Sequence, residues 1–373
     1  MFLRCNPTVT VIGEDYEILL NSKENGILAV EVSGQIYREE NSGVLFSEKN
    51  YAKIRVPQAA LDKAKGYTVV FKKSIKRVAY FSKLEEEQVT SFKFKPIKKR
   101  GEINAYHLAD IHGCFDLAKD AASYFGDRLD LLMLNGDYCE FSKDDDYFRF
   151  LNFVGEITEG KIPVILTRGN HDCRGTAAEK YTDRLTSRGK DTYYTFKAGW
   201  LKGLALDFGE DKPDEHDEYG GVNDFCYFRK RELEFLKSLK PGKRNFLFAI
   251  GHTSPGYNTS HKGDPEFDIE HELFTECNKE LQRLGIKFYI MGHFHRSAFL
   301  EKNDPRSNRT HSYPIIVGSE CVRPTGDYSG AALTFNGDRL TVRITGTKKD
   351  VKKACTIDLN TGEICEQSIA PTQ

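Results

Sequence analysis

The chain has 373 residues and a net charge of −1 at pH 7, and 39% of its residues are hydrophobic and 29% charged. This composition is typical of a globular protein and excludes the disordered and fibrous classes. The length allows two domains, each with its own core. The near-neutral charge provides no basic field that would hold a polyanion, so composition gives no support to binding of nucleic acid.

The nine cysteines are scattered singly, without a C-x-x-C pair. An odd number without framework spacing argues against a disulfide scaffold and favours a reducing compartment. The first residues lack a charged stretch followed by an apolar one, so no signal peptide is expected. No apolar run approaches the length that crosses a bilayer. We therefore expect a cytoplasmic protein without a membrane partner.

Residues 1–97 are predicted to form a small all-β sandwich domain, with a fibronectin-like or immunoglobulin-like plan as a fold-level analogy. Short apolar runs alternate with turns, and one helix is expected at Gln58–Lys65. The basic run Lys95–Arg100 is interpreted as a solvated linker. The predicted strands are Thr8–Ile12, Tyr16–Leu20, Ile27–Val32, Lys53–Val56, Tyr67–Lys72 and Ser91–Lys95.

Residues 98–373 follow a different pattern, in which an apolar strand, a polar loop and an amphipathic helix recur. Buried strands that alternate with helices predict a layered α/β domain. Near the C-terminal end the pattern returns to strands, and Asn336–Asp338 (NGD) predicts a hairpin turn. The predicted strands are Ile103–Leu108, Leu129–Leu134, Pro163–Thr167, Phe246–Ile250, Lys287–Met291, Pro314–Val317, Ala331–Phe335, Leu340–Thr345 and Ala354–Leu359. The predicted helices are Phe115–Phe125, Asp145–Glu156, Lys230–Leu239 and Ile269–Leu284.

Five short polar motifs each follow one of these apolar strands. Strand ends at one edge of an open α/β sheet are where such folds bind ligands, so the five loops are expected to converge. Each of the last four motifs begins with a glycine, which suits a sharp turn or a close backbone approach. The motifs are Asp110-Ile111-His112, Gly136-Asp137, Gly169-Asn170-His171-Asp172, Gly251-His252 and Gly292-His293-Phe294-His295.

The residue types in these motifs predict a metal site. Five of the ten histidines fall within them, together with aspartates and one asparagine. Imidazole and carboxylate ligands without cysteine suit Zn, Fe or Mn rather than a structural thiolate site. Taken singly each motif is weak, whereas all five in order, each after a strand, form a specific pattern.

In this order the motifs resemble those of the calcineurin-like metallophosphoesterase family, over a span from about Glu102 to the C-terminal end. The resemblance implies a layered metallophosphoesterase β-sandwich flanked by helices, and an enzyme that hydrolyses phosphoesters with two divalent or trivalent metal ions (Mn, Fe or Zn). It assigns Asp110, His112 and His295 to one metal. It assigns Asn170, His252 and His293 to the other, with Asp137 as the bridge.

The mechanism that the resemblance implies uses a hydroxide shared by the two ions as the nucleophile, because paired cations lower the pKa of bound water towards neutrality. His171, which is not a ligand in the family, would then protonate the leaving oxygen as the general acid. Asp172, the next residue, is a candidate to orient the His171 imidazole.

Specific residues exclude two branches of the family. The loop after Asp137 lacks the Asp-Arg pair of protein Ser/Thr phosphatases, and Glu140 stands where purple acid phosphatases have a tyrosine ligand. The sequence favours a phosphatase or phosphodiesterase that acts on a small phosphorylated molecule or a nucleotide. The alternatives are a nuclease, which the near-neutral charge does not support, and a non-catalytic metal-binding scaffold, which would be expected to lack some of these residues.

Two long polar loops, residues 209–223 and 253–268, are candidates for lids that contact the substrate, because loops of this length are often functional. Arg174, just after the third motif, could meet a phosphate. The remaining candidates for substrate contact are His216, Tyr219, Tyr257 and His261.

Overall fold

A computed structural model describes residues 1–241, 246–259, 266–322 and 326–369. The predicted N-terminal strands are present, and helix α1 (Gln58–Ala64) lies where a helix was expected. The strands of this region are β1 (Thr8–Ile12), β2 (Asp15–Asn21), β3 (Gly26–Val32), β4 (Gln35–Tyr37), β5 (Tyr51–Pro57), β6 (Gly66–Lys76), β7 (Lys83–Leu84) and β8 (Gln88–Lys93).

The following region contains all of the predicted strands and several that were not predicted, among them the hairpin β12–β13. Its strands are β9 (Ile103–Leu108), β10 (Leu131–Asn135), β11 (Val164–Thr167), β12 (Tyr194–Ala198), β13 (Leu201–Ala205), β14 (Phe248–Ile250), β15 (Phe288–Met291), β16 (Ala298–Leu300), β17 (Ile315–Val317), β18 (Glu320–Val322), β19 (Asp327–Asn336), β20 (Arg339–Gly346), β21 (Val351–Asp358) and β22 (Glu363–Ile369). Its helices are α2 (Phe115–Ala122), α3 (Asp144–Thr158), α4 (Tyr181–Arg184), α5 (Phe225–Ser238) and α6 (His271–Leu284). The predicted NGD turn joins β19 to β20, and Asn336 pairs with Arg339 across it.

Two large sheets pack against each other. The first sheet has the order β22-β21-β20-β19-β9-β10-β11-β1-β2-β5, and β18 also pairs with β19. The second sheet has the order β12-β13-β14-β15-β17-β16. Strands β9, β10 and β11 are parallel to one another in the first sheet, as are β13, β14, β15 and β17 in the second.

The alternation of side chains along the strands explains the layers. In β10, Leu131 and Met133 belong to the core between the two sheets, whereas Leu132 and Leu134 pack in the cluster that includes α2 and α3. In β15, Phe288 lies in the core between the sheets, and its neighbour Tyr289 packs in the cluster that includes α5 and α6. Successive residues of a strand point to opposite faces, so strands that are apolar on both faces must be covered on both. The predicted mixed α/β architecture of sheets flanked by helices is confirmed.

The N-terminal region is all-β apart from α1, as expected, but its strands are divided between two sheets. Strands β1, β2 and β5 extend the first sheet, where Thr10 of β1 is paired in parallel with Val164 of β11. The other five strands form a third sheet, with the order β4-β3-β6-β7 and with β8 paired to β6. The boundary between residues 97 and 98 stays a prediction; the sheet that carries the polar motifs continues across it. None of the described helices is long and apolar enough to span a bilayer.

Because Ile18 of β2 is fully buried in the same core as Met133 of β10, we predict that Ile18→Ala destabilises the whole chain rather than a separate N-terminal unit. Removing a buried isoleucine side chain down to alanine costs about 2–5 kcal/mol in the free energy of unfolding. Urea unfolding followed by both circular dichroism and the fluorescence of Trp200 is expected to give one transition, shifted to lower urea.

The matched control is Ile75→Ala, since Ile75 of β6 is 49% exposed and its loss is expected to change the midpoint little. Two separate transitions, only one of which moves in the Ile18 variant, would instead establish residues 1–97 as an independent domain.

Candidate metal centre

The five polar motifs meet at one edge of the two facing sheets. Three of them follow the parallel strands β9, β10 and β11 of the first sheet, and two follow β14 and β15 of the second sheet. The carboxyl ends of these strands lie at the same edge, which brings loops together that are far apart in sequence. The seven residues expected to bind metal therefore converge: Asp110, His112, Asp137, Asn170, His252, His293 and His295.

Asp110, His112 and His295 form one cluster, in which the candidate ligand atoms all lie within 4.8 Å of one another. The Nε2 atom of His295 is 3.7 Å from Oδ1 of Asp110. The imidazoles of His112 and His295 stack with centroids 4.9 Å apart, and their Nε2 atoms are separated by 3.2 Å. Nitrogen and oxygen donors at such separations can contact a single ion.

Asp137 lies between this cluster and His252. Its Oδ2 atom is 3.5 Å from Nε2 of His112 and 3.1 Å from Nε2 of His252. Asp110, Asp137 and His252 form a second group of candidate ligands within 4.8 Å, and His112, Asp137 and His171 form a third. One carboxylate therefore faces imidazoles on two sides.

The Nε2 atom of His252 is buried and has no hydrogen-bond partner among the described residues. The other ring nitrogen donates its proton to the carbonyl of Asn135 at 2.8 Å, so a neutral imidazole has its lone pair on Nε2. In the neutral form that lone pair would lie 3.1 Å from a carboxylate oxygen of Asp137, and two acceptors this close need either a proton on Nε2 or a metal ion between them. The donor set therefore fits a metal ion.

In the protein alone, the ionisation of the two groups places a proton between them, in the position that a metal ion would take. Burial opposes a charged imidazole, but the nearby charge of Asp137 outweighs it and raises the pKa of His252 to about 10. Burial also opposes a charged Asp137, yet the imidazoles of His252 and His171 hold the pKa of its carboxyl well below the usual range.

Asn170 provides a second buried atom without a partner. Its side-chain Oδ1 has no hydrogen bond within the described part of the chain, while its Nδ2 donates to Oε2 of Glu210 at 3.3 Å. The bond to Glu210 fixes the orientation of the amide and leaves the oxygen available. A buried amide oxygen without a partner is costly unless it meets a cation.

Five of the seven residues expected to bind metal have a positive φ, a backbone conformation that residues other than glycine rarely adopt. Left-handed conformations of this kind cost about 1–3 kcal/mol each and cluster at functional sites. The structure holds them with local hydrogen bonds, such as those from the backbone N–H of His293 to both carboxylate oxygens of Asp110 at 3.0 Å. The residues and their φ angles are Asp110 (54°), His112 (46°), Asp137 (55°), His293 (76°) and His295 (52°).

Two glycines make room for Asp137. Gly136 has a φ of +80°, and a Cβ atom on it would lie 2.5 Å from the backbone nitrogen of Gly169. A Cβ atom on Gly169 would lie 2.3 Å from Oδ1 of Asp137. The expected role of the motif glycines therefore combines a positive φ at Gly136 with close backbone approach at Gly169.

Asp172 does not orient His171, contrary to the expectation from sequence. Its fully buried carboxylate accepts hydrogen bonds from the backbone N–H groups of Asp137, Tyr138 and Gly169 at 2.8–3.0 Å. A buried carboxylate needs several donors, and the turn beneath the site provides them. Asp172 therefore holds two motif loops together.

His171 lies at the rim of the centre. Its side chain is 31% exposed, its Nδ1 is 3.9 Å from Oε1 of Glu140, and its ring meets that of His112 edge-on at 4.7 Å. His171 also lines a cavity of about 290 Å³ that opens beside the cluster. The cavity is lined by Asp137, Asn170, His171, Arg174, Asp211, Lys212, Thr259, Phe267, His293, Phe294 and His295.

Of the residues expected to contact substrate, only Arg174 lines this cavity within the described chain, and its guanidinium is bound by Glu210 at 2.7 Å and Glu218 at 2.8 Å. The other described residues have partners outside the cavity lining or at its edge, and their contact with substrate stays a prediction. His216 pairs with Glu266 at 3.0 Å, the Tyr219 hydroxyl donates to Glu210 at 3.1 Å, and Tyr257 packs on Phe294 with centroids 4.5 Å apart. His261 lies outside the described residues.

A sixth strand end reaches the same edge, and the sequence reasoning missed it. Strand β13 runs parallel to β14, and the loop after it brings Glu210 and Asp211 to the centre. The carboxylate of Asp211 lines the cavity, with Oδ2 3.7 Å from Nε2 of His293. The signal was present as the apolar run Leu204–Leu206 followed by Asp207, the same pattern as in the recognised motifs.

Comparison with known proteins agrees with this arrangement. The profile of the calcineurin-like phosphoesterase family matches residues 103–297, more than half of the 373-residue chain. No curated protein sequence matches the chain.

Among solved structures, the chain is similar to a purple acid phosphatase, PPD1, from yellow lupin (Lupinus luteus) seeds and to PhoD. The first has a TM-score of 0.62 at 12% identity, covering 98% of this chain and 77% of that one. The second has a TM-score of 0.56 at 11% identity, covering 98% of this chain and 92% of that one. At such identities the likeness is one of fold. With the family profile and the converging ligand clusters, the conclusion is that the chain belongs to the calcineurin-like phosphoesterase family and is a metal-dependent phosphoester hydrolase.

Proposed function

We propose that this enzyme hydrolyses the phosphoester of a small phosphorylated molecule or nucleotide, with two metal ions held between the two sheets. The observation that carries the proposal is the buried contact at its centre, where Nε2 of His252 and Oδ2 of Asp137 lie 3.1 Å apart. A metal ion between the two atoms would satisfy both, and the surrounding side chains supply enough ligand atoms for two metal ions.

In the proposed assignment, Asp110, His112 and His295 hold one ion, and Asn170, His252 and His293 hold the other. Asp137 bridges the two, which is supported by its contacts with His112 on one side and His252 on the other. When bound, such an ion pair provides a nucleophile from water at neutral pH and offsets the charge of the phosphate. Imidazole and oxygen donors without thiolate favour Mn, Fe or Zn.

His171 is proposed as the general acid. Its partial exposure towards the cavity gives it access to a leaving group, whereas the buried His252 has none. A carboxylate oxygen of Glu140 lies 3.9 Å from its Nδ1. In this role the side chain delivers a proton from a ring nitrogen to the departing oxygen.

A small substrate is favoured by the shape and charge of the cavity. Its volume of about 290 Å³ is at the low end for small-molecule sites. Its two cations are already paired with carboxylates, since Lys212 lies 3.3 Å from Asp211 and 3.0 Å from Glu218, and Arg174 is bound by Glu210. All nine cysteines are free, which supports the proposed cytoplasmic location.

The proposal predicts that metal-loaded protein hydrolyses p-nitrophenyl phosphate or bis-p-nitrophenyl phosphate. The protein is stripped with chelator, reloaded with Mn, Fe or Zn, and assayed on both substrates while metal content is measured by mass spectrometry. We expect two ions per chain and turnover that is lost on chelation and recovered on reloading. The more active substrate distinguishes monoesterase from diesterase.

The control variant is Asp137→Asn, which keeps the shape of the side chain but removes the charge that bridges the ions. Changes in residues that merely support metal ligands cost about 10–100-fold in affinity or activity, so losing a bridging ligand is expected to cost more than about 100-fold. A stripped protein as active as the loaded one would contradict the proposal.

His171→Ala is predicted to lower kcat by about 10²–10⁴-fold while the metal content stays at the wild-type value. The loss should be smaller for an activated leaving group such as p-nitrophenolate than for an alkyl phosphoester, because a good leaving group needs less protonation. Metal content and kcat are measured on the same preparation. Loss of an ion in this variant would make His171 a ligand, and unchanged kcat on the alkyl ester would remove it from the reaction.

A further inference from the structure

Asp211 stands beside the proposed centre, outside the set of seven ligands. It follows β13, the strand whose carboxyl end reaches the edge where the recognised motifs meet. Its side chain is 15% exposed, lines the cavity and directs Oδ2 to within 3.7 Å of Nε2 of His293. His293 belongs to the ion position that also uses Asn170 and His252.

The separation of 3.7 Å is short enough for one ion to contact both atoms. Nitrogen and carboxylate donors lie about 2.0–2.2 Å from a metal such as zinc, so two donors to the same ion are at most about 4.3 Å apart. His295 and Asp110, which are both assigned to the first ion, have the same separation of 3.7 Å. By this criterion Asp211 is as well placed as the recognised ligands.

The other carboxylate oxygen of Asp211 is already occupied. Its Oδ1 lies 3.3 Å from Nζ of Lys212 and 3.4 Å from the hydroxyl oxygen of Tyr219. These contacts fix the carboxylate and leave Oδ2 towards His293. Supporting bonds of this kind are usual around metal-binding carboxylates.

Glu210, the residue before Asp211, contacts a proposed ligand of the same ion. Glu210 accepts a hydrogen bond from Nδ2 of Asn170 at 3.3 Å, and this bond leaves the buried Oδ1 of the amide without a partner. Glu210 is itself held by two bonds of 2.7 Å from Arg174. Two adjacent residues after β13 therefore lie at one ion position. Glu210 orients the amide of Asn170, and Asp211 directs a carboxylate oxygen towards His293.

We propose that Asp211 is a further ligand of the ion held by Asn170, His252 and His293, an inference that rests on the proposed function. Its Oδ2 adds a hard, negatively charged donor to a position that otherwise has two imidazoles, one amide and the shared Asp137. Carboxylate donors suit Mn more than Zn. Asp211 therefore strengthens binding of Mn at this position relative to Zn.

The test compares Asp211→Asn and Asp211→Glu with the matched control Asp217→Asn, whose side chain is exposed in the same loop. Apo protein is titrated with Mn, with electron paramagnetic resonance reporting free Mn, and then with Zn. We expect Asp211→Asn to weaken the second Mn by about 10–100-fold and Zn by less, Asp211→Glu to recover part of the loss, and the control to match wild type.

The outcomes separate this inference from the function it rests on. If wild type takes up two Mn and Asp211→Asn binds both with unchanged affinity, Asp211 is not a ligand and the proposed function stands. If Asp217→Asn weakens Mn as much as Asp211→Asn does, the effect is one of general charge, and the inference is overturned. If wild type takes up no metal at all, both proposals fail.

Discussion

The contact between Asp137 and His252 is the constraint on which the rest of the centre depends. A carboxylate oxygen and an imidazole nitrogen lie 3.1 Å apart, and both side chains are almost wholly buried. Because Nδ1 of His252 donates to a backbone carbonyl, the contact is favourable only with a proton on Nε2 or a metal ion between the two atoms. The fold thus holds a carboxylate oxygen and an imidazole nitrogen where a metal ion can bind both. Metal binding therefore adds to the stability of the fold.

Holding those atoms in place requires a rigid support, and the two facing sheets supply it. Five ligands sit at positive φ, a strain of about 1–3 kcal/mol each that a flexible loop would relax. Each of these loops begins directly after a strand that is buried on both faces, so its starting point cannot move without opening the core. Asp172 then joins the loops after β10 and β11 with its bonds to backbone N–H groups. The backbone strain is confined to the loops, and the packing that offsets it lies in the two sheets and the helices that cover them.

The parts of this structure that were predictable from sequence are those that depend on local patterns. The apolar run Ile103–Leu108 forms a strand with the predicted bounds, and the motifs follow strands as expected. Helix α5 starts at Phe225, five residues before the predicted Lys230, because its first N–H groups are bound by Asp214, which is eleven residues away along the chain. The pairing of β1 with β11 and the bonds of Asp172 also join distant segments, and neither leaves a local signature. The hairpin β12–β13 escaped prediction because Gly199–Trp200 interrupts its apolar pattern, and the carboxylates after β13 went unrecognised with it.

The loop after β13 also changes the view of how substrate is recognised. The sequence predicts that residues 209–223 form a lid, and in the structure Glu210, Asp211 and the exposed Glu218 of this segment pair with Arg174 and Lys212, the two cations among the described residues that line the cavity. A guanidinium already bound by two carboxylates has few donors left for a phosphate. In the proposed function the phosphate is therefore expected to be held chiefly by the metal ions, whose positions the protein fixes. We then expect selectivity among phosphoesters to lie in the group beyond the phosphate, because Phe267 and Phe294 line the cavity and offer aromatic surface to an apolar or planar substituent.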